Sequence, residues 1–435
     1  MSDAATLAMP ALSKALPDLR LGYLPLTDAA PLLVAAGRGL FRQHGLKIDL
    51  TRAGSWSALR DHPPAPSENL IMTFATRRQI LRASSAAAVL SAVRSTFPSG
   101  VFAQGTGPET SKAVLGYIAL TDSAPLIIAK EKGLFAKFGM ADVEVAKQAS
   151  WGGLRDNMVL GGGSGGIDGA HILTPLPYLM ATGRVVQNGQ KLPMAILARL
   201  NTNGQAISVS KALQPLGATI DASPLKAAFA AKKGSNKIAM TFRGGTHDLW
   251  IRYWLAAAGI DPDRDVETIV VPPPQMVANM KVGTMDAFCV GEPWNDQLVH
   301  QDLGYSACVT GEIWRDHPEK SFAMRGEYVA KNPRAARALT AAVIEAQIWA
   351  EADANKLELA AILGRRAWFN VPPADIEPRS KGDIDYGDGR KTTASPLRMK
   401  FWADHASYPF QSHDLWFLTE DQRWGILPAD LATAP

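Results

Sequence analysis

Cysteine is nearly absent. Cys289 and Cys308 are the only two in 435 residues, which excludes a zinc-type Cys/His array and a multi-disulfide scaffold. One bridge or two buried free thiols remain as alternatives. An excess of one charge is missing too: 45 Lys and Arg stand against 41 Asp and Glu, a formal net charge of +4. With no clustered basic stripe, the chain offers a nucleic acid no surface. It has no G-x-S-x-G elbow and no P-loop. The run Gly161-Gly162-Gly163-Ser164-Gly165-Gly166 lacks the Gly-Lys-Ser/Thr ending and leads into Ile167-Asp168-Gly169-Ala170, so it reads as a loop before a strand. Apolar content of 47% and charged content of 20% are those of a soluble globular protein with material for two core-building domains.

What the chain does have is one stretch written twice. RLGYLPLTDAAPLLVAAGRGLFRQHGL…SWSALRD runs from Arg20 to Asp61, and VLGYIALTDSAPLIIAKEKGLFAKFGM…SWGGLRD from Val114 to Asp156. A single one-residue insertion aligns them, so Trp56 matches Trp151. Only the second copy continues into a full module. The first stops at His62-Pro63-Pro64-Ala65-Pro66 and reads as a truncated fragment of a paralogous module. We expect it to have low order and no function, or to pair its strand with an exposed sheet edge of the intact module.

Between the copies lies an export signal. Arg77-Arg78-Gln79-Ile80-Leu81-Arg82 leads into Ala-rich apolar sequence over 83–93, and Val101-Phe102-Ala103 supplies a small-residue cleavage pattern. The order basic, apolar, cleavage is that of a bacterial signal peptide, and the arginine pair suits the twin-arginine route. The apolar part is closed by Arg94 and is too short to span a bilayer. The organisation expected is therefore a fragment and linker over 1–71, with translation starting at Met72 or an upstream fusion. A signal follows over 72–103, and one module over 104–435.

Within that module short strands alternate with helices. Residues 114–120 read as a strand, 124–138 as a helix with Pro125 in its first turn, 143–147 as a strand and 152–160 as a helix. The second half repeats the pattern, with strands at 237–240, 269–271 and 285–290, and a helix at 246–258. Such alternation predicts α/β lobes with mainly parallel sheets. The segment ARLNTNGQAISVS over 197–209 reads as a crossing into a second lobe, and Gly304 onward as the crossing back. Lobe 1 is then about 114–200 and 304–435, and lobe 2 about 205–300. The polar, Gly-rich segment 379–395 reads as a surface loop. A cleft between such lobes faces strand ends and helix N-termini, a geometry for an anion.

These residues carry a family likeness. GYIALTDSAPLIIAKEKGLFAKFGM, KQASWGGLRDN, GGTHDLWIRYWLAAAGIDPDRDV, IVVPPPQMVANMKVGTMDAFCVGEPWN, HPEKSFAMR and SYPFQSHDLWFLTEDQRWG closely resemble the nitrate-binding proteins of bacterial nitrate ABC transporters. The likeness runs from Val114 to Pro428. It implies the two-lobed periplasmic binding protein fold, type II-like, closing on its ligand by a hinge. It also implies a periplasmic, monomeric protein that needs no cofactor or metal. Such a protein hands nitrate, with nitrite as a second ligand, to an inner-membrane permease with its ATPase subunits. Carried over residue by residue, the family's nitrate site falls on Trp151, Gln205, His247, Gly291 and Lys320.

The chemistry of those five is coherent without the analogy. Nitrate is planar, singly charged and carries no proton, so its site needs donors and one compensating charge. Lys320 brings the charge, Gln205 an amide N–H₂, His247 a ring N–H, Gly291 a backbone N–H and Trp151 an indole N–H or a flat face. Bicarbonate has a hydroxyl to donate and profits from an acceptor, a role open to Glu319. Asp122, in Leu-Thr-Asp-Ser-Ala-Pro, can serve the cleft or the first helix, and capping is the better reading. Two other functions fit the same resemblance: a cytoplasmic nitrate sensor of this fold, and a bicarbonate-binding transport protein. An enzyme does not fit, since pyrimidine-synthesising relatives of the fold use a Cys-rich motif that two isolated cysteines cannot supply.

Overall fold

A computed structural model describes residues 18–23, 36, 47–52, 107–232 and 235–431. It divides into two units, 1–99 and 100–435. In the first unit, Asp18–Tyr23 (β1) pairs in parallel with Lys47–Arg52 (β2), from Asp18↔Lys47 to Tyr23↔Arg52. The second unit forms the same ladder from the same repeat, Lys112–Tyr117 (β3) on Asp142–Lys147 (β4). In the fragment, β1 thus pairs with β2 of the same fragment. The arginine pair and cleavage pattern lie outside the described residues.

Each lobe of the second unit is a five-stranded sheet. The first has the order β4-β3-β5-β12-β6, built with Gly169–Leu173 (β5), Met194–Thr202 (β6) and Pro318–Arg325 (β12). The second has the order β11-β7-β10-β8-β9, from Gln205–Ser210 (β7), Lys237–Met240 (β8), Glu267–Val270 (β9), Ala287–Gly291 (β10) and Gly304–Val309 (β11). In both, four strands run in one direction and the strand that has just crossed from the other lobe inserts antiparallel to its neighbours. The α/β, two-lobed expectation holds.

The first crossing is only Asn203-Gly204, both in the left-handed region at φ 56° and 89°. A Cβ at Gly204 would meet Met399 at 2.3 Å, so only glycine passes here. The return crossing lies after Val309 rather than at Gly304. Gly304–Val309 is buried along its whole length, and its strand ladder is with β7 of the second sheet. The two crossings are stitched together where the Asn203 N–H donates to His317 O at 3.0 Å and the Asp316 N–H to Asn203 Oδ1 at 2.9 Å.

Local expectations meet other corrections. The helix read over 124–138 ends at Glu131 (α1, Ala124–Glu131), because Gly133 turns left-handed at φ 66° before a second short helix, Leu134–Lys137. The glycine run is a loop before β5, as read: the Gly162 N–H donates to Asp168 Oδ1 at 3.1 Å, and Arg325 caps the Met158 and Val159 carbonyls at 2.7 Å. Segment 379–395 is not a surface loop. Buried Arg379 donates to Glu292 Oε1 at 2.7 Å and Asp296 Oδ1 at 3.2 Å, and the Ser306 N–H donates to Tyr386 O at 2.7 Å. Polar composition concealed this because the burial is that of a neutralised guanidinium. Cys289 and Cys308 are free and buried. Both pair with Ile207 from opposite sides of β7, which puts them two strand spacings apart, about 10 Å, too far for a bridge.

The helix Gln411–Arg423 (α4) spans both lobes. Its Asp414 accepts from the buried Arg199 of β6, while Trp416 and Phe417 pack on Trp250, centroids 5.2 Å and 6.0 Å away, in the helix Thr246–Ala257 (α3) of the second lobe. The Asp421 carboxyl is buried, and neither oxygen has a hydrogen-bond partner among the described residues. Burial, with the neighbouring Asp248 and Glu420, pushes it up to about 8. The folded chain therefore keeps a proton that the unfolded chain gives up above about pH 4, and stability falls as pH rises from about 4 to about 8. Asp421→Asn should match the parent protein at pH 4 and exceed its unfolding free energy by at least about 2 kcal/mol at pH 8. Urea titrations at the two pH values measure this, and equal differences would show that Asp421 ionises normally.

Candidate functional site

The strand ends of the two sheets meet across the cleft at one ammonium group. Lys320, on β12, has no exposed surface. Its Nζ donates to Glu319 Oε1 at 2.5 Å and lies 2.9 Å from Asp122 Oδ2. Asp122 does not cap α1; its other oxygen accepts from His171 Nε2 at 2.5 Å. The His171 ring lies 5.4 Å from that of Trp151, and Lys320 Nζ is 5.8 Å from the Trp151 ring centroid. Trp151 opens the helix Trp151–Leu160 (α2), fixed by its N-cap Ser150, whose Oγ accepts from the Gly153 N–H at 3.1 Å. These are the first lobe's contributions.

The second lobe closes the ring. Thr246 donates to Glu319 Oε1 at 2.5 Å, and Gln205 Nε2 reaches Thr246 Oγ1 at 3.5 Å. Gln205 and Gly291 are register partners on β7 and β10. A Cβ at Gly291 would come within 3.1 Å of Asp122 Oδ2 and 3.4 Å of Leu120, so glycine lets the lobes approach this closely. His247, at the start of α3, meets Thr241 Oγ1 through Nδ1. All five residues read from the sequence therefore sit around one buried cluster. Asp122, His171 and Thr246 complete it and were not singled out as site residues. Asp122 was visible in the Leu-Thr-Asp-Ser-Ala-Pro motif; His171 and Thr246 carried no signal beyond lying at a strand and a helix start.

The charges follow from burial and pairing. Burial alone would raise the Asp122 carboxyl, but Lys320 and His171 outweigh it and hold Asp122 at about 2. Burial raises Glu319 despite Lys320 and Thr246. It would lower Lys320, yet the two carboxylates keep it above the usual amine range. His247 is held well below the imidazole range by burial and by the Lys320 charge, so the ring is neutral. A Thr241 hydroxyl that donates to Nδ1 leaves the proton on Nε2. Three buried nitrogens of the cluster, Trp151 Nε1, His171 Nδ1 and His247 Nε2, have no partner among the described residues. Buried polar atoms are normally satisfied, and the indole N–H and a His247 ring N–H are donors that a small, acceptor-rich ligand would satisfy.

Beside the cluster lies a cavity of about 830 Å³, lined from both lobes and bearing Arg155, Arg184 and Arg243 with no carboxylate. A cleft lined by one sign of charge raises the local concentration of anions.

Residues 13–63 and 106–364 match the NMT1-like family. The chain belongs to that family. The matched residues include part of the leading fragment as well as the intact module. Among this family member's relatives is the nitrate/nitrite binding protein NrtA of Nostoc sp. (strain PCC 7120), 61% identical over 325 residues, 74% of this chain and 72% of the relative. The bicarbonate-binding protein CmpA of Synechococcus elongatus is 43% identical over 338 residues, 75% of this chain and 74% of the relative. The crystal structure of the periplasmic nitrate-binding protein NrtA from Synechocystis PCC 6803 is 58% identical. It superposes with a TM-score of 0.74 over 75% of this chain and 85% of that one.

A nitrogen without a protein partner contributes no protein hydrogen bond to lose, so the cost of Trp151→Phe is that of the void left by a fully buried indole, about 1–3 kcal/mol of unfolding free energy in the ligand-free protein. Asp122→Asn, which strips Lys320 of one counter-charge, should cost about 3–5 kcal/mol. Urea unfolding compares them, and a loss in Trp151→Phe as large as that in Asp122→Asn would show that the indole contributes more than its packing.

Proposed function

We propose that this protein captures nitrate, with nitrite as a second ligand, outside the cytoplasmic membrane and delivers it to an ABC permease. The observation that carries the proposal is the convergence of Trp151, Gln205, His247, Gly291 and Lys320 on one buried cluster in a chain 61% identical to a nitrate/nitrite binding protein. The donors fit the ion. Nitrate has three acceptor oxygens and no proton. Around it stand the Lys320 ammonium, the indole N–H of Trp151, the imidazole N–H of His247, the Gln205 amide and the Gly291 backbone. Closure of the lobes assembles the set, since Trp151 and Lys320 belong to one lobe and the other three to its partner.

A bicarbonate-binding function has one residue in its favour, Glu319, whose carboxylate belongs to the same cluster. The lysine beside it weighs for nitrate, as does the lower identity, 43%, to the bicarbonate-binding relative. Export of the folded protein by the twin-arginine route rests on Arg77-Arg78 and the Val101-Phe102-Ala103 pattern. It places the protein against the outer face of the inner membrane, where a permease would receive the ligand.

Calorimetric titration of the full chain with nitrate, nitrite and bicarbonate tests the function. We expect tight nitrate binding, weaker or equal nitrite binding and no bicarbonate heat. Lys320→Gln should weaken nitrate binding about 10- to 100-fold, the loss of one charge-assisted hydrogen bond. Bicarbonate binding without nitrate binding would move the protein to the bicarbonate group. For export, Arg77→Lys with Arg78→Lys should leave the protein in the cytoplasmic fraction of its host, and undiminished periplasmic recovery would sink the twin-arginine assignment.

A further inference from the structure

Resting on that function, we propose that nitrate binds together with one proton, and that the Glu319 side chain takes the proton. An ammonium has three N–H bonds; Lys320 donates one to Glu319 Oε1 at 2.5 Å and forms an ion pair with Asp122 Oδ2 at 2.9 Å. A nitrate on the same ammonium would place three anions around one cation. None of Lys320, Asp122 or Glu319 has any exposed surface, so water cannot screen the added charge. Nitrate brings no proton, unlike bicarbonate, so the compensating proton has to come from solvent.

The surroundings single out its acceptor. From α3, Thr246 donates to Glu319 Oε1 at 2.5 Å and Trp250 Nε1 to Oε2 at 3.4 Å. Just before Glu319, the His317 Nδ1 lies 3.8 Å from Oε2. That nitrogen donates to Pro318 O at 3.1 Å, and burial holds the ring neutral, with its pKa lowered to about 3. From β10, the Cys289 thiol also lies within electrostatic reach and is raised well above its usual range by burial, so it stays protonated. His247 is neutral for the reasons given above. Asp122 is held near 2 and already accepts from His171. His171, lowered by burial, spends Nε2 on Asp122. Glu319 remains: its Oε1 takes two short donors, while Oε2 has only the long indole contact and room for a proton. Burial already disfavours its charged form, and an incoming anion disfavours it further.

The proton balance is simple. The free site with ionised Glu319, one nitrate and one proton become the complex with a neutral carboxylic acid; no covalent bond other than O–H forms. By linkage, nitrate affinity rises as pH falls, and it drops about tenfold per pH unit wherever free Glu319 is ionised and bound Glu319 is not.

Calorimetry of the full chain with nitrate between about pH 6 and pH 9, at each pH in two buffers of different ionisation heat, measures the proton uptake directly. We expect uptake rising toward about one proton per nitrate at the alkaline end of the linked range, with a matching fall in affinity. Glu319→Gln should bind nitrate with no uptake and with affinity independent of pH. Difference infrared spectroscopy of the parent protein should show a protonated carboxyl C=O band that appears with nitrate. Nitrate binding with no buffer-dependent heat and constant affinity across the range overturns this inference and leaves the nitrate function standing. Undiminished uptake in Glu319→Gln overturns the assignment to Glu319. No nitrate heat at any pH overturns the function, and this inference with it.

Discussion

A buried ammonium has to be neutralised where it lies, because desolvating it costs several kcal/mol that only nearby opposite charge offsets. Lys320 meets that constraint with Asp122 and Glu319, and much of the molecule is arranged to deliver them. Asp122 comes from the turn after β3, and Glu319 and Lys320 from the first strand of the return crossing. The partners of those partners come from β5 and from the second lobe's α3. The charge cluster is therefore also a fastening between lobes. Thr246 of the second lobe donates to Glu319 of the first and in turn meets Gln205 of its own lobe.

The same arrangement explains why the sheets are built as they are. In each lobe the strand that arrives from the other side inserts antiparallel among parallel neighbours. Its first residues, Gln205 in one lobe and Glu319 and Lys320 in the other, then lie at the cleft. Short crossings keep those residues close. Asn203-Gly204 allows no slack, and the second crossing is held to it by the Asn203, Asp316 and His317 hydrogen bonds. Across the cleft, α4 ties Arg199 of one lobe to the Trp250 aromatic group of the other, so the C-terminal segment belongs to the two-lobe assembly as fully as the crossings do.

Much of this was legible in the residues. The repeat of LGY, LTD and SW motifs marked the βαβ unit that opens the module. Pro125 marked the start of α1, and the asparagine and glycine of NTNG marked the crossing. Other features were not legible, for identifiable reasons. Gly133 ends a helix whose apolar spacing runs straight past it. The segment 379–395 looks solvated because Arg379 and Arg390 are polar, yet their partners, Glu292, Asp296 and the Ser306 and Ala307 carbonyls, lie about 75 to 90 residues away. The strand Gly304–Val309 reads equally well for either lobe until its pairing with β7 is known.

Alone, the sequence determined the local chemistry: which residues can donate, which turns demand glycine, which stretches alternate as strand and helix, and which motifs mark the family. These follow from side-chain type and from contacts a few residues apart. Only the tertiary structure decided that Asp122 serves Lys320 instead of capping a helix, that His171 and Thr246 join the site, and that Cys289 and Cys308 are kept apart by β7. Each of those outcomes depends on which strand lies beside which, and therefore on packing between residues far apart in the chain.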